Sequence, residues 1–331
     1  MNKKTAFISA GAIGALSIGA LGFIGNYFYN LAFNPSTSKD SIFGTSEEAK
    51  STSGEVINKN VDWLLNKSNF SHEYIKSFDN LKLHAYKILN EIPTNKWIIT
   101  VHGYTSKGLD MSGYAKNFYV TGYNVLIPDL RAHGKSDGNH IGMGWYDRLD
   151  ITKWIDLILD IDKNAQIILH GVSMGASTVL MSSGENLPNN IKAIIADCGY
   201  TSVWDQFSHQ LNVLYSLHSF PIMNASSAVT KLKAGYTLKE ASALKQVAKS
   251  KTPILFIHGD KDDFVPYSMM GELYNATTSP KEKLTIEGAG HAKAAKINPE
   301  LYWYTIENFI DKHIKLVKNE KVKNTLYSKI L

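Results

Sequence analysis

From about Phe70 onward, short apolar runs alternate with amphipathic stretches, and the two periods place the elements. Strands are expected at His72–Phe78, Leu81–Leu89, Trp97–His102, Asn124–Asp129, Ile167–Val172, Ile191–Asp197, Pro253–His258 and Lys283–Glu287. The first two alternate apolar and polar positions about a turn at Asp79-Asn80, as an antiparallel edge hairpin does. The later runs are continuously apolar, which suits parallel strands covered on both faces. Helical periodicity fills the gaps, for example over Trp145–Ile161 and Met174–Gly184. Such alternation implies a doubly wound α/β fold: a mostly parallel eight-stranded sheet with helices on both faces. The stretch Gly199–Ser250 is too long for one crossover. Its amphipathic pieces, Val203–Tyr215, Ala225–Lys233 and Leu238–Ala248, predict a small helical lid at about 200–250 that would shape substrate choice.

The N-terminal pattern is different. Lys3 and Lys4 precede an uncharged run that lasts until Lys39 and is most apolar from Ala6 to Gly25. A span of about 20 apolar residues is long enough to cross a bilayer. The flanking lysines would keep the N-terminus inside and place the rest outside. Residues 1–34 are therefore expected to be a membrane-spanning helix, with a cleaved signal peptide as the rival. Small residues at Ser17, Gly19 and Ala20 could serve a peptidase, but Tyr27-Phe28-Tyr29 prolongs the apolar segment. Residues 35–60 read as a polar linker, with helix near Glu47. The α/β domain is expected over 61–331, beginning with a short docking helix at Val61–Leu65.

Composition narrows the classes further. A chain of 331 residues, 44% hydrophobic, can bury a large core. Its formal charge of +5 comes from scattered lysines, and stretches such as Lys315 to Lys323 lack interleaved aromatics, so no nucleic-acid partner is expected. The lone Cys198 rules out an intramolecular disulfide, and no cysteine-based metal site is expected. No His/Asp/Glu run has helical metal spacing, and no glycine pattern cradles phosphate; neither metal nor cofactor is expected.

The chemistry concentrates in three places. Gly171-Val172-Ser173-Met174-Gly175 follows an apolar strand and opens a helix, which would hold Ser173 on a strained elbow and aim the Met174 N–H at an oxyanion. A serine hydroxyl needs a base in contact and a third group to orient that base. His291, in the small-residue loop Gly288-Ala289-Gly290 after the last strand, is the candidate base. Asp260, Asp262 and Asp263 compete for the acid, with Asp197 as a further rival. The order nucleophile, acid, histidine is one of three known for such triads. After the third strand, Val101-His102-Gly103-Tyr104 offers the Tyr104 N–H as second oxyanion donor, with His102 holding the turn. Asp129 to Ser136 is read as structural, with Asp129 and Arg131 bracing the loop beside the nucleophile.

These segments together resemble the α/β-hydrolase superfamily, specifically bacterial serine hydrolases related to the serine aminopeptidase and prolyl oligopeptidase catalytic domains. The likeness rests on His102-Gly103-Tyr104, Asp129–Ser136, the Ser173 elbow, Asp197-Cys198-Gly199-Tyr200, His258–Pro266 and Gly290-His291. It implies that the acid is the fifth residue of His-Gly-x-x-Asp-x-x-Val-Pro, which falls on Asp262. The family usually has glycine where Ala132 stands, a departure outside the catalytic set. Tyr104 replaces the Gly-Gly run of many lipases, which argues against a long-chain lipase.

The expected function is a membrane-anchored, extracytoplasmic carboxylic-ester hydrolase using Ser173, His291 and Asp262, with Tyr104 and Met174 N–H groups at the oxyanion and a small or medium acyl group in the substrate. A peptidase on the same triad is the alternative, disfavoured because the lid region offers only Asp205, Glu240 and the nearby Asp197 to bind a peptide amine. A non-enzymatic surface protein is the third reading, and the complete triad argues against it.

Overall fold

A computed structural model of the protein describes residues 19–39 and 54–314. Most of the expected anchor (residues 1–18) and the expected helix near Glu47 lie outside the described residues. The eight strands are β1 (Ser71–Lys76), β2 (Lys82–Ile88), β3 (Lys96–Val101), β4 (Asn124–Pro128), β5 (Gln166–Val172), β6 (Ile191–Asp197), β7 (Ile254–Gly259) and β8 (Lys281–Ile286). They form one sheet in the order β1-β2-β4-β3-β5-β6-β7-β8. Only β2 opposes its neighbours, being antiparallel to both β1 and β4. The order reverses around β3 and β5, where such sheets open a crevice at their carboxyl ends.

Residues of alternating parity supply two cores. Trp97, Ile99, Leu126, Ile167, Leu169, Ile254 and Phe256 face one side, while Ile98, Val125, Ile127, Ile168, Leu255 and Ile257 face the other. Burial on both faces is why these strands read as unbroken apolar runs. The first face is covered by α4 (Asp147–Ile161), α5 (Met174–Ser182), α8 (Ala243–Val247) and α9 (Ser268–Ala276). The second is covered by α2 (Gly54–Lys67), α3 (Ser112–Val120), α10 (Ala294–Ile297) and α11 (Pro299–Asp311).

The lid comprises α6 (Val203–Tyr215), α7 (Ile222–Ala234) and the descent into α8. An isolated antiparallel bridge between Ser202 and Ser242 closes its base. Both serines also cap helices, accepting from the Asp205 and Lys245 N–H groups. The expected helix over Leu238–Ala248 is shortened to Ala243–Val247, because the bridge holds the preceding backbone out of helical geometry.

The described part of the N-terminal region, residues 19–39, lies against the domain. Residues 19–33 are helical (α1), and the end of this helix is packed into the domain. Phe33 and Tyr29 are buried, Phe28 meets Tyr215 edge-on, and Phe33 meets Phe207 and Tyr236. Gly25 lets α1 cross α7 closely, since a Cβ there would sit 2.7 Å from the Ala225 carbonyl. Two of the unpaired carbonyls at the α1 C-terminus find donors: Ala32 accepts from the Tyr104 hydroxyl at 2.7 Å, and Leu31 from the Lys39 ammonium at 2.5 Å. Helix α2 likewise begins inside the expected linker and buries Leu64 in the second core. Among the described residues, no helix is long and apolar enough to cross a membrane.

Candidate active site

Ser173 stands between β5 and α5 with φ 58° and ψ −118°, a left-handed conformation costly for a residue with a Cβ. Its surroundings enforce this geometry. The Ser173 N–H donates to the Asp197 carbonyl at 2.8 Å, and a Cβ on Gly171 would lie 2.3 Å from the Gly175 carbonyl. A Cβ on Gly175 would lie 2.1 Å from the Val101 carbonyl oxygen and 2.6 Å from that of His102. Backbone cannot yield as a side chain does, so Gly175→Ala should cost at least about 2 kcal/mol, in the upper range for overpacking. A urea midpoint unchanged by this substitution would refute that account of the elbow.

The serine hydroxyl lies 2.8 Å from His291 Nε2, and His291 Nδ1 lies 2.8 Å from Asp262 Oδ2. An ionised carboxylate only accepts, so Nδ1 carries the proton and Nε2 is left to accept from the serine. Asp262 is buried; burial alone would raise its pKa, but hydrogen bonds from His258 and His291 outweigh it, with help from the Val265 N–H. The carboxyl is held at about 2. The Phe264 ring lies against the imidazole, with centroids 4.9 Å apart.

The structure thus brings Ser173, His291 and Asp262 into one hydrogen-bonded line, and separates the other aspartates from it. Asp260 caps the Gly288 N–H at 2.6 Å. Asp263 offers its backbone carbonyl to His209. Asp197 accepts from the Tyr302 hydroxyl at 3.0 Å, and burial pushes its carboxyl up to about 6. His102 receives the Leu130 N–H on Nε2 and donates to the Gly103 carbonyl from Nδ1, so both ring nitrogens are spent on the turn. Met174 opens α5 directly after Ser173. Gly103, just before Tyr104, packs on Ser173, where its Cβ would sit 3.4 Å from that of the serine.

Asp129 and Arg131 brace the neighbouring loop. Asp129 accepts from the Gly108 and Lys135 N–H groups at 2.7 and 2.9 Å and lies 2.7 Å from His84 Nδ1. Arg131 clasps Asp150 with two nitrogens and reaches Asp79 with a third. Ala132 has φ 59°, a conformation that favours glycine, the residue the resemblance implies at this position.

His258 was not singled out by sequence reasoning. Its Nε2 lies 3.2 Å from Asp262 Oδ2 and 3.0 Å from the Val265 carbonyl, which only accepts, so this nitrogen donates and fixes the acid. The signal was its place four residues before Asp262. Cys198 is a second neighbour of Asp262 and His291. Its sulfur lies with ligand-type atoms of Asp262 and His291 inside 4.8 Å, and burial raises its thiol well above the ordinary value.

Above Ser173 lies a chamber enclosing about 860 Å³ of non-atom space, solvent at its mouth included. Its walls are almost wholly apolar, drawn from α1, the lid and the loops around Tyr104 and Val265.

A serine on a strained elbow at the switch point of a doubly wound sheet, hydrogen-bonded to His291 after β8 and through it to Asp262 after β7, defines a hydrolase of α/β architecture. A family model described as alpha/beta hydrolase fold matches residues 96–221. The uncharacterized protein YqkD of Bacillus subtilis is 30% identical over 275 residues, covering 79% of this chain and 88% of that one. The chain belongs to the α/β-hydrolase superfamily. Among solved structures, an esterase of Pyrococcus furiosus is similar with a TM-score of 0.64 at 22% identity, over 78% of this chain and 94% of that one. An acylaminoacyl peptidase of Pyrococcus horikoshii is similar with a TM-score of 0.56 at 18% identity, over 77% of this chain and 43% of that one. Likeness at such identities is likeness of fold.

Proposed function

We propose that the protein is a serine hydrolase of carboxylic esters, with Ser173 as nucleophile, His291 as base and Asp262 as the group that orients it. The observation that carries this reading is the unbroken line from Ser173 Oγ through His291 to Asp262, set on the floor of an apolar chamber. Ser173 Oγ adds to the ester carbonyl as His291 Nε2 takes its proton, and Asp262 stabilises the imidazolium. The Tyr104 and Met174 N–H groups receive the oxyanion. Collapse of the adduct expels the alcohol, which takes the proton from His291 and leaves an acyl-enzyme. Water, deprotonated by His291, then releases the carboxylic acid and regenerates the serine.

An ester is favoured over a peptide because, among the described residues, no acidic side chain lines the chamber to pair with a peptide amine. Asp205 is committed to Thr201 and Ser202, and Glu240 to the Thr237 N–H and Lys231. The peptidase alternative draws its support from the acylaminoacyl peptidase neighbour. The uncharged run before Lys39 behind Lys3 and Lys4 supports a membrane anchor with the domain outside.

One experiment addresses chemistry and topology together. The full chain in right-side-out vesicles is exposed to membrane-impermeant and permeant fluorophosphonates, and separate unlabelled aliquots are assayed with p-nitrophenyl esters and free-amine peptide anilides. Both probes should label Ser173, and only the esters should turn over. Labelling by the permeant probe alone would place the domain inside. Faster cleavage of anilides would favour the peptidase, and a folded protein that neither probe labels would favour the non-enzymatic reading.

A further inference from the structure

The N-terminal helix does more than lead into the domain. Phe28, Tyr29, Leu31, Ala32 and Phe33 of α1 line the chamber that also contains Ser173. Opposite them stand Phe207, Leu211 and Leu214 of α6, and the edge-on contact of Phe28 with Tyr215 joins the two helices at 5.6 Å. Without α1 the chamber would lose one side. The helix is firmly seated there: Gly25 crosses the α7 backbone, Lys233 donates to Asn26 at 2.7 Å, and the Phe33 carbonyl accepts from the Ile141 N–H at 2.8 Å.

The rim of the chamber is apolar as well. Leu214 lines the space and remains 37% exposed, and Tyr27, adjacent to Phe28, is 51% exposed. A polar leaving group would find few partners between these walls, whereas a hydrocarbon chain buries its length at a gain of about 25 cal/mol per Å². Tyr104, which also lines the chamber, is tied by its hydroxyl to the Ala32 carbonyl. The oxyanion loop and the α1 wall are therefore one mechanical unit.

We infer that the last two turns of α1 form the outer wall of an acyl-chain site, so that the substrate is a single-chain acyl ester whose chain lies between α1 and α6. This rests on the serine-esterase reading, with α1 as a determinant of chain length. Ala32→Phe places a ring in the chamber, and Phe28→Ala removes one.

The test is a series of p-nitrophenyl acetate, butyrate, octanoate and dodecanoate with the full chain in detergent, a separate aliquot of each variant being checked for fluorophosphonate labelling at Ser173. Ala32→Phe should lower the octanoate-to-acetate ratio of kcat/KM by about tenfold or more, the lower end of what a few methylenes contribute in an apolar pocket. Phe28→Ala should move the preference toward dodecanoate, which keeps the inference testable should the bulkier variant not fold. Ratios within about twofold of wild type in both variants, each competent for labelling in its separate aliquot, would overturn it. So would a uniform rise in turnover of every ester in Phe28→Ala, since α1 would then be a plug. Absence of label in the wild type would instead count against the esterase reading itself.

Discussion

Ser173→Ala should reduce ester turnover by about 10⁴- to 10⁶-fold, the loss expected when the nucleophile of a triad is removed. The substitution deletes one oxygen, and that oxygen's hydrogen bond in the structure is to His291. The backbone bonds that hold the elbow involve the Ser173 N–H and carbonyl, and alanine keeps both. The left-handed φ of 58° is equally costly for alanine and serine, so the strain is unchanged. The folded state should therefore survive, with a thermal midpoint near that of wild type. Full turnover in the alanine variant would exclude the proposed mechanism. Lost turnover together with lost near-ultraviolet dichroism would mean that the elbow itself had collapsed, and would say nothing of the nucleophile.

Much of this arrangement was legible because parallel strands buried on both faces leave an unmistakable trace. The run Ile191–Asp197 is β6 to the residue, and Val203–Tyr215 is α6 to the residue. The elbow was legible because Gly171 and Gly175 are demanded by backbone contacts too close for any Cβ. The acid was less so: three aspartates in four positions have similar local chemistry, so the residues alone left them competing until the resemblance pointed to Asp262, and it is the tertiary approach of His258 and His291 that sets Asp262 physically apart. The stretch Leu238–Ala248 misleads because Leu238 and Ala241 are buried by an irregular backbone pinned at Ser202 and Ser242, which leaves an apolar spacing resembling a helix.

Helix α1 shows a different limit. An uncharged, apolar, glycine-containing segment has the composition of a membrane span and equally that of a helix packed on its own domain. What separates the two is partnership. Gly25 against Ala225, Phe28 against Tyr215 and Phe33 against Phe207 are long-range contacts that local periodicity cannot encode. The end of the segment serves the active-site chamber, whatever its beginning does.

Asp262→Asn should reduce turnover by about 10³- to 10⁴-fold, whereas Asp260→Asn and Asp263→Asn should each cost less than about tenfold. In wild type the carboxylate accepts from every neighbour: His291, His258 and the Phe264 and Val265 N–H groups. Asparagine has one acceptor oxygen, and the two backbone donors claim it on the Oδ1 side. Its amide nitrogen then faces His291 and forces the imidazole to accept at Nδ1, which puts the ring proton on Nε2 and leaves no base for Ser173. Asp260 instead secures the Gly288 turn, and Asp263 contributes a carbonyl that asparagine retains. Equal losses at all three positions would mean that the loop, not one carboxylate, supports the chemistry. The same group carries a stability signature. Its pKa lies at about 2 in the fold, against about 3.9 for an unfolded aspartate, which corresponds to roughly 2 kcal/mol of stabilisation. Because the folded value is the lower one, this contribution is complete above about pH 4 and disappears as pH falls through about 2. The unfolding free energy of wild type should exceed that of Asp262→Asn at neutral pH and converge toward it in that acid window. A gap that does not change with pH would show that the lost stability comes from hydrogen-bond geometry and not from the charge.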